Sequence, residues 1–209
     1  MGPFESRGHA IAWARDLVGR SDVLYLDTET TGVRFGVDDV IDIGIVDGRG
    51  IVVMDQLVRP SVAIPADSEA VHGISNRAVA NAPHLPDIWA ELSRTLNGNV
   101  VVSYNATFDE QMLASAARRR GLAPIAPARW DCAMEAFAAY NGELSHHRPG
   151  FRWINLGAAA RMFGLESPEH RAVSTRCCAS SSFRSSHVGS DASCAAPIST
   201  RFRPVRLAA

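Results

Sequence analysis

The apolar run Val23-Leu24-Tyr25-Leu26 passes directly into Asp27-Thr28-Glu29-Thr30-Thr31-Gly32. A short apolar run closed by turn-forming residues reads as a buried strand. Side chains alternate along a strand, so Asp27 and Glu29 point to the same side, within a few ångströms of each other. Like charges at that depth repel and are costly against a low-dielectric core unless a partner neutralises them. Oxygen-only ligands suit a hard divalent cation, and the pair reads as a magnesium or manganese site. On the hexapeptide alone a second reading stays open, because Asp, Thr and Gly also end strands in turns by bonding to the local backbone.

With 209 residues, 46% of them hydrophobic, and a formal net charge of -1, the chain suits one globular domain with a sizeable core. No apolar stretch is long enough to span a bilayer. The N-terminus interleaves Glu5, Arg7, His9 and Arg15 with apolar residues, unlike a secretory signal, so the expectation is a cytoplasmic protein with no membrane partner. Of the four cysteines only Cys132 precedes residue 174, and no disulfide framework is expected. Near-neutral charge argues against wrapping a duplex through a broad basic surface and is compatible with a local grip on one strand end.

The coarse pattern is α/β. His9 to Val18 has helical spacing. Val23–Asp27, Val40–Val46 and Ile51–Val58 read as strands, with a tight turn at Gly48-Arg49-Gly50 making the second and third antiparallel. Leu85–Leu96 reads as a helix, Val100–Ser103 as a short buried strand, and Phe108–Arg120 as a helix capped by Gly121. Asp131 is placed to N-cap a helix through Tyr140, and Asn155 another through Phe163. Asp109 falls in the first turn of its helix, where an acid commonly complements the dipole; Arg118-Arg119-Arg120 fall in the last turn, where they either complement the opposite end or touch phosphates.

Asp27-Thr28-Glu29-Thr30-Thr31-Gly32 resembles the first motif of the DnaQ-like, or DEDD, 3′-to-5′ exonucleases. Val71-His72-Gly73-Ile74-Ser75 is similar to that family's His-Gly-Ile stretch. Tyr104-Asn105-Ala106-Thr107-Phe108-Asp109 resembles its second motif, with Tyr104 where histidine is usual, and Pro168-Glu169-His170-Arg171-Ala172-Val173 resembles the opening of the third. The resemblance implies a ribonuclease H-like fold: a mixed sheet in which three antiparallel strands are followed by parallel strands, flanked by helices. It implies Asp27, Glu29 and Asp109 as ligands of two Mg²⁺ or Mn²⁺ ions and His170 as the base of the DEDDh branch. Thr30, His72, Gly73, Ile74, Asn105 and Phe108 would contact substrate, Gly73 by close backbone approach and Ile74 by offering an apolar face to a base; core filling is the competing reading for Phe108, and a helix end for the His-Gly-Ile stretch. The implied partners are single-stranded 3′ ends, of DNA or RNA, and a DNA polymerase.

The expected division is an N-terminal helix over 1–20, the exonuclease domain over 21–173 and an atypical tail over 174–209, non-native or disordered. Family spacing from His170 calls for an aspartate at position 175, where this chain has Thr175. Beyond it serine, cysteine and arginine dominate, and Asp191 is the only acid. The chain has no lysine and 21 arginines, as a GC-rich coding sequence would give. Were Ser174 to Cys178 encoded TCG ACG CGC TGC TGC, the same bases shifted by two would read Asp-Ala-Leu-Leu, so one base restored in codon 174 returns the aspartate to 175. The tail thus reads as out of frame, and the alternative function is an inactive end-binding protein or truncated pseudoenzyme. A zinc site from Cys177, Cys178, Cys194 and His187 is disfavoured by the adjacent cysteines.

Overall fold

A computed structural model describes residues 4–165. His170, Thr175 and the whole 174–209 segment lie outside the described residues. At the centre of a five-stranded sheet stands β1 (Val23–Thr30), flanked by β2 (Val40–Asp47) and β4 (Val100–Ser103), with β3 (Val52–Leu57) and β5 (Arg129–Cys132) at the edges. β2 pairs antiparallel with both β1 and β3, whereas β4 runs parallel to β1 and β5. Helices are α1 (Arg7–Leu17), α2 (Ala66–His72), α3 (Leu85–Leu96), α4 (Ala106–Arg119), α5 (Ala133–Asn141) and α6 (Leu156–Met162). This is the mixed sheet expected. No helix among the described residues is long and apolar enough to cross a membrane.

The two faces of β1 are covered differently. Leu24 and Leu26 pack with Val101 of β4 against Trp89 and Leu92 of α3 and Met112, Leu113 and Ala116 of α4. Val23 and Tyr25 turn the other way, onto Val100, Val102 and the Trp13 and Leu17 side chains of α1. α1 therefore completes the sheet's second face, and the Arg7 guanidinium lies 4.3 Å from the ring centre of Tyr140 on α5.

Asn155 caps α6 as expected, accepting from the Ala158 N–H at 2.8 Å. Asp131 does not cap α5. It belongs to β5, where it accepts from Trp13 Nε1 at 2.8 Å and from Arg129 at 2.7 and 2.9 Å, and Cys132 takes the cap position without a side-chain bond. Arg129-Trp130-Asp131-Cys132 has no apolar alternation and becomes a strand by adding to β4.

The arginines ending α4 complement its C-terminal end as expected, Arg120 Nη1 donating to the Ala116 carbonyl at 3.3 Å, and two of them have a further use. Arg119 Nη2 and Arg120 Nη2 meet Asp39 Oδ1 at 2.6 and 2.8 Å, while the Ser61 N–H and hydroxyl donate to Oδ2 at 2.7 and 2.5 Å. Arg119 also donates to the Val37 and Asp38 carbonyls. The far end of α4 thus clamps the loop that leaves the acidic hexapeptide. Burial pushes Asp39 upward, but the Ser61 and Arg120 hydrogen bonds and the Arg120 charge together hold its carboxyl at about 2. Such a group stabilises the fold once pH exceeds its unfolded value of 3.8, and that contribution fades as pH falls through about 2. Asp39→Ala, which strands two arginines, is expected to cost about 3 kcal/mol in urea unfolding at neutral pH, and the deficit against wild type should shrink in acid.

Candidate active site

β1 carries the hexapeptide out of the core at its C-terminal end. Thr28 continues the row of Leu24 and Leu26 and is buried, while Asp27 and Glu29 continue the row of Val23 and Tyr25. Asp27 is exposed and Glu29 half-buried. This corrects the expectation of a deeply buried pair: α1 and α5 cover that face of β1 over its first half only, and its row beyond Tyr25 opens towards solvent. A third acid shares the face. Asp42 of β2 stands directly across from Glu29 in the antiparallel register and is 2% exposed.

Asp109, in the first turn of α4, is buried as well, 3% exposed. The Thr28 hydroxyl donates to its Oδ1 at 2.7 Å, and the Ser103 hydroxyl at the end of β4 donates to Oδ2. Burial pushes this carboxyl up to about 7; the two hydroxyls pull it back, and the Asp27 charge adds to the rise. Asp109 is thus placed where β1, β4 and α4 meet.

Asn105, just before α4, is the only non-glycine among the described residues with a left-handed backbone, φ 71°. Asparagine tolerates that conformation better than most residues, and it turns the chain sharply from β4 into the helix that presents Asp109. Asn105 is exposed. Phe108 is half-buried against the α3/α4 core, its ring 5.9 Å from that of Phe35, so the core reading accounts for much of its surface.

On the other side, the loop after β1 is tightly built. The Thr30 hydroxyl donates to the Gly32 carbonyl at 2.6 Å. A Cβ on Gly32 would stand 2.5 Å from Asp38 Oδ2, which the Arg34 N–H fixes from 2.8 Å, so only glycine fits. α2 docks here through Ser68, whose hydroxyl donates to the Thr31 carbonyl at 2.8 Å. At its end Gly73 adopts φ 71° as the cap, and His72 is buried, its Nδ1 accepting the Ile74 N–H at 3.0 Å. Ile74 is not offered to a base: it is 7% exposed and packs with Ile41, Ile64 and Val79, because the turn at Gly73 folds the chain back onto β2.

The structure therefore gathers Asp27, Glu29 and Thr30 on one strand and Asn105, Phe108 and Asp109 at one helix start, with His72 and Gly73 on a helix docked to the intervening loop. Among the described residues no three His, Cys, Asp or Glu side chains are arranged to hold a metal ion. The donor chemistry nonetheless fits a hard divalent cation. All the acids offer oxygen, and Asp109 is a carboxylate whose ionisation at neutral pH calls for a positive partner. Sequence reasoning missed Asp42, legible only as one acid inside the apolar run Ile41-Asp42-Ile43, and missed Thr28 and Ser103, whose role depends on strands far apart in the chain.

Residues 24–174 match the RNase T exonuclease family, and the chain belongs to it. An uncharacterised exonuclease of Escherichia phage 186 is 33% identical over 160 residues, 73% of this chain and 81% of the phage protein. DNA polymerase III subunit epsilon of Treponema pallidum is 34% identical over 66% of this chain and 63% of that one. Exodeoxyribonuclease 10 of Escherichia coli K12 is 29% identical over 71% of this chain and 60% of its own length. Exonuclease I shares the fold, with a TM-score of 0.58 at 16% identity, covering 72% of this chain and 37% of its own. This chain spans less than two thirds of the last three relatives.

The Asp109 carboxyl is protonated in both folded and unfolded chains below its ordinary value of 3.8; between there and about 7 the unfolded chain releases its proton first, so stability falls as pH rises. Asp109→Asn removes that dependence. Without divalent ions at pH about 8 it should be more stable than wild type, by up to about 4 kcal/mol, and near pH 4 the two should be nearly equal in thermal unfolding.

Proposed function

We propose that this domain is a 3′-to-5′ exonuclease that hydrolyses the terminal phosphodiester of single-stranded DNA or RNA by a two-metal mechanism. The observation that carries the reading is Asp109, a carboxyl buried and pushed up to about 7, with the Asp27 charge adding to the rise. Holding such a group as an anion costs the fold stability, and a bound cation would offset that cost. Mg²⁺ or Mn²⁺, when bound, would supply water activation and charge stabilisation at the leaving oxygen. Asp27, Glu29 and Asp109 would hold the ions. Thr28 and Ser103 keep the Asp109 carboxylate oriented, and the α4 core packing keeps its helix from shifting.

In the reaction water attacks the last phosphorus, the bond to the 3′ oxygen of the preceding nucleotide breaks, and a nucleoside 5′-monophosphate leaves. By resemblance to the DEDDh branch, His170 accepts the proton of the attacking water at an imidazole nitrogen. By the same resemblance, Thr30, Asn105, His72 and Gly73 would contact the terminal nucleotide. The similarity to the DNA polymerase III epsilon subunit of Treponema pallidum supports a polymerase-associated role in replication or repair.

Thr175 stands where the family spacing places a fourth carboxylate, and a hydroxyl lacks its charge. The chain as written is therefore impaired, and the inactive end-binding alternative describes its residual behaviour. With a 5′-labelled single-stranded oligonucleotide and Mn²⁺ or Mg²⁺, a protein with the reading frame restored at codon 174 should shorten the strand stepwise from its 3′ end. The written chain should be slower by at least about a hundred-fold, and Asp27→Ala in the restored protein should be equally slow. Shortening from the 5′ end, or none by the restored protein with either metal, would overturn the reading. Parallel DNA and RNA strands identify the preferred sugar.

A further inference from the structure

Between α5 and α6 the chain folds into a ribbon. Leu144 bridges Phe151, the Arg152 N–H donates to the Glu143 carbonyl at 2.7 Å, and the Ser145 N–H to the Gly150 carbonyl at 3.0 Å. The ribbon is tied to the candidate active site: Tyr104, the residue after Ser103, donates its hydroxyl to the Ile154 carbonyl at 2.5 Å. From Gly142 to Phe163 the only acid is Glu143, already bonded to Arg152 at 2.5 Å, against Arg148, Arg152, Arg161 and two histidines. In a chain of net charge -1 this is a local excess of positive charge.

At the ribbon's foot the Arg148 guanidinium lies 3.8 Å from the ring centre of Trp153, whose indole is nevertheless 47% exposed. Trp153 and Met162 line a hollow of about 510 Å³, together with Asn141, Asn155, Arg161 and the paired Glu143 and Arg152. An exposed indole held in place by a guanidinium, beside amides and a second arginine, is a stacking platform for a base with charge for the adjoining phosphates.

We propose that this hollow binds the nucleic-acid strand upstream of its 3′ terminus, with one base stacked on Trp153 and a phosphate met by Arg161, while Arg148 holds the indole in place. The identity of the polyanion rests on the exonuclease reading. The chain's own segment 166–209 is a poorer occupant, because six arginines against three acids give it the same sign as the hollow. The platform accounts for how a chain of net charge -1 holds a single strand while its end is cleaved.

The test is fluorescence anisotropy of the full chain in EDTA, where no cleavage occurs, with labelled oligothymidylate of about 12 nucleotides and with a dinucleotide. Trp153→Ala should weaken the long strand about ten-fold and leave the dinucleotide unchanged, Trp153→Phe should restore most of the affinity, and a strand with abasic upstream positions should bind wild type as weakly as the long strand binds Trp153→Ala. Arg161→Ala, an exposed helix change that spares the fold, should reduce the slope of log affinity against log salt by about 0.7. Unchanged affinity of Trp153→Ala for the long strand, or equal loss for both lengths, overturns the proposal. So does polyglutamate binding as tightly as the strand without dependence on Trp153, which would make the surface an acidic-peptide site. Binding is read without turnover, so absence of shortening by the frame-restored protein would count against the exonuclease reading and not against this platform.

Discussion

A carboxylate in the interior is the constraint around which this domain is arranged. Asp109 lies at the junction of β1, β4 and α4 and takes hydroxyl donors from both strands, Thr28 and Ser103. Each of the three elements needs the others: the strands provide donors, the helix provides the acid, and Leu24, Val101 and Met112 close the surrounding core. Two neutral hydroxyls reduce the cost of burial without cancelling it, as the position of Asp109 near 7 shows. A site that stores such a tension favours whatever binds it as a cation, which links the folding energetics to the family's chemistry.

The second constraint acts at a distance. Arg119 and Arg120 sit at the far end of the same helix that begins with Asp109, and they grip Asp39 at the end of the loop leaving Glu29. α4 is thus fixed at both ends to the chain that carries the hexapeptide, once through a hydrogen-bonded acid and once through an ion pair. Gly32 and Asp38 fill the space between so closely that no side chain fits at residue 32. The position of Asp109 relative to Asp27 is in this way set by contacts on both sides of it rather than by the local turn alone.

Much of this was legible in the chain. Periodicity located α3 and β4 to the residue, and the tight turn after β2 implied the antiparallel pair, because those features depend on neighbours in sequence. The acids at 27 and 29 stood out because their spacing follows strand geometry, and Asp109 stood out through the resemblance of its stretch to the second exonuclease motif. What escaped notice depends on partners far along the chain. β5 has no apolar signature and exists because β4 offers it an edge; Asp131 looked like a cap and is instead bonded to Trp13, over a hundred residues away. Ile74 looked available to a base because only the fold shows that Gly73 turns it onto Ile41. Asp42 was hidden in an apolar strand until the register placed it opposite Glu29.

These two kinds of information bear on the site unequally. The side chains that would hold ions come from local motifs, but what keeps them in place comes from long-range pairs: Thr28 to Asp109, Asp39 to Arg120, Tyr104 to Ile154. The last of these matters for the substrate. Tyr104 occupies the position where the related motif has histidine, and its longer side chain reaches the ribbon that carries Trp153 and Arg148. The departure from the family pattern at residue 104 and the basic, aromatic ribbon are therefore one feature, a brace between the acid-bearing end of β4 and the surface placed to receive the rest of the strand.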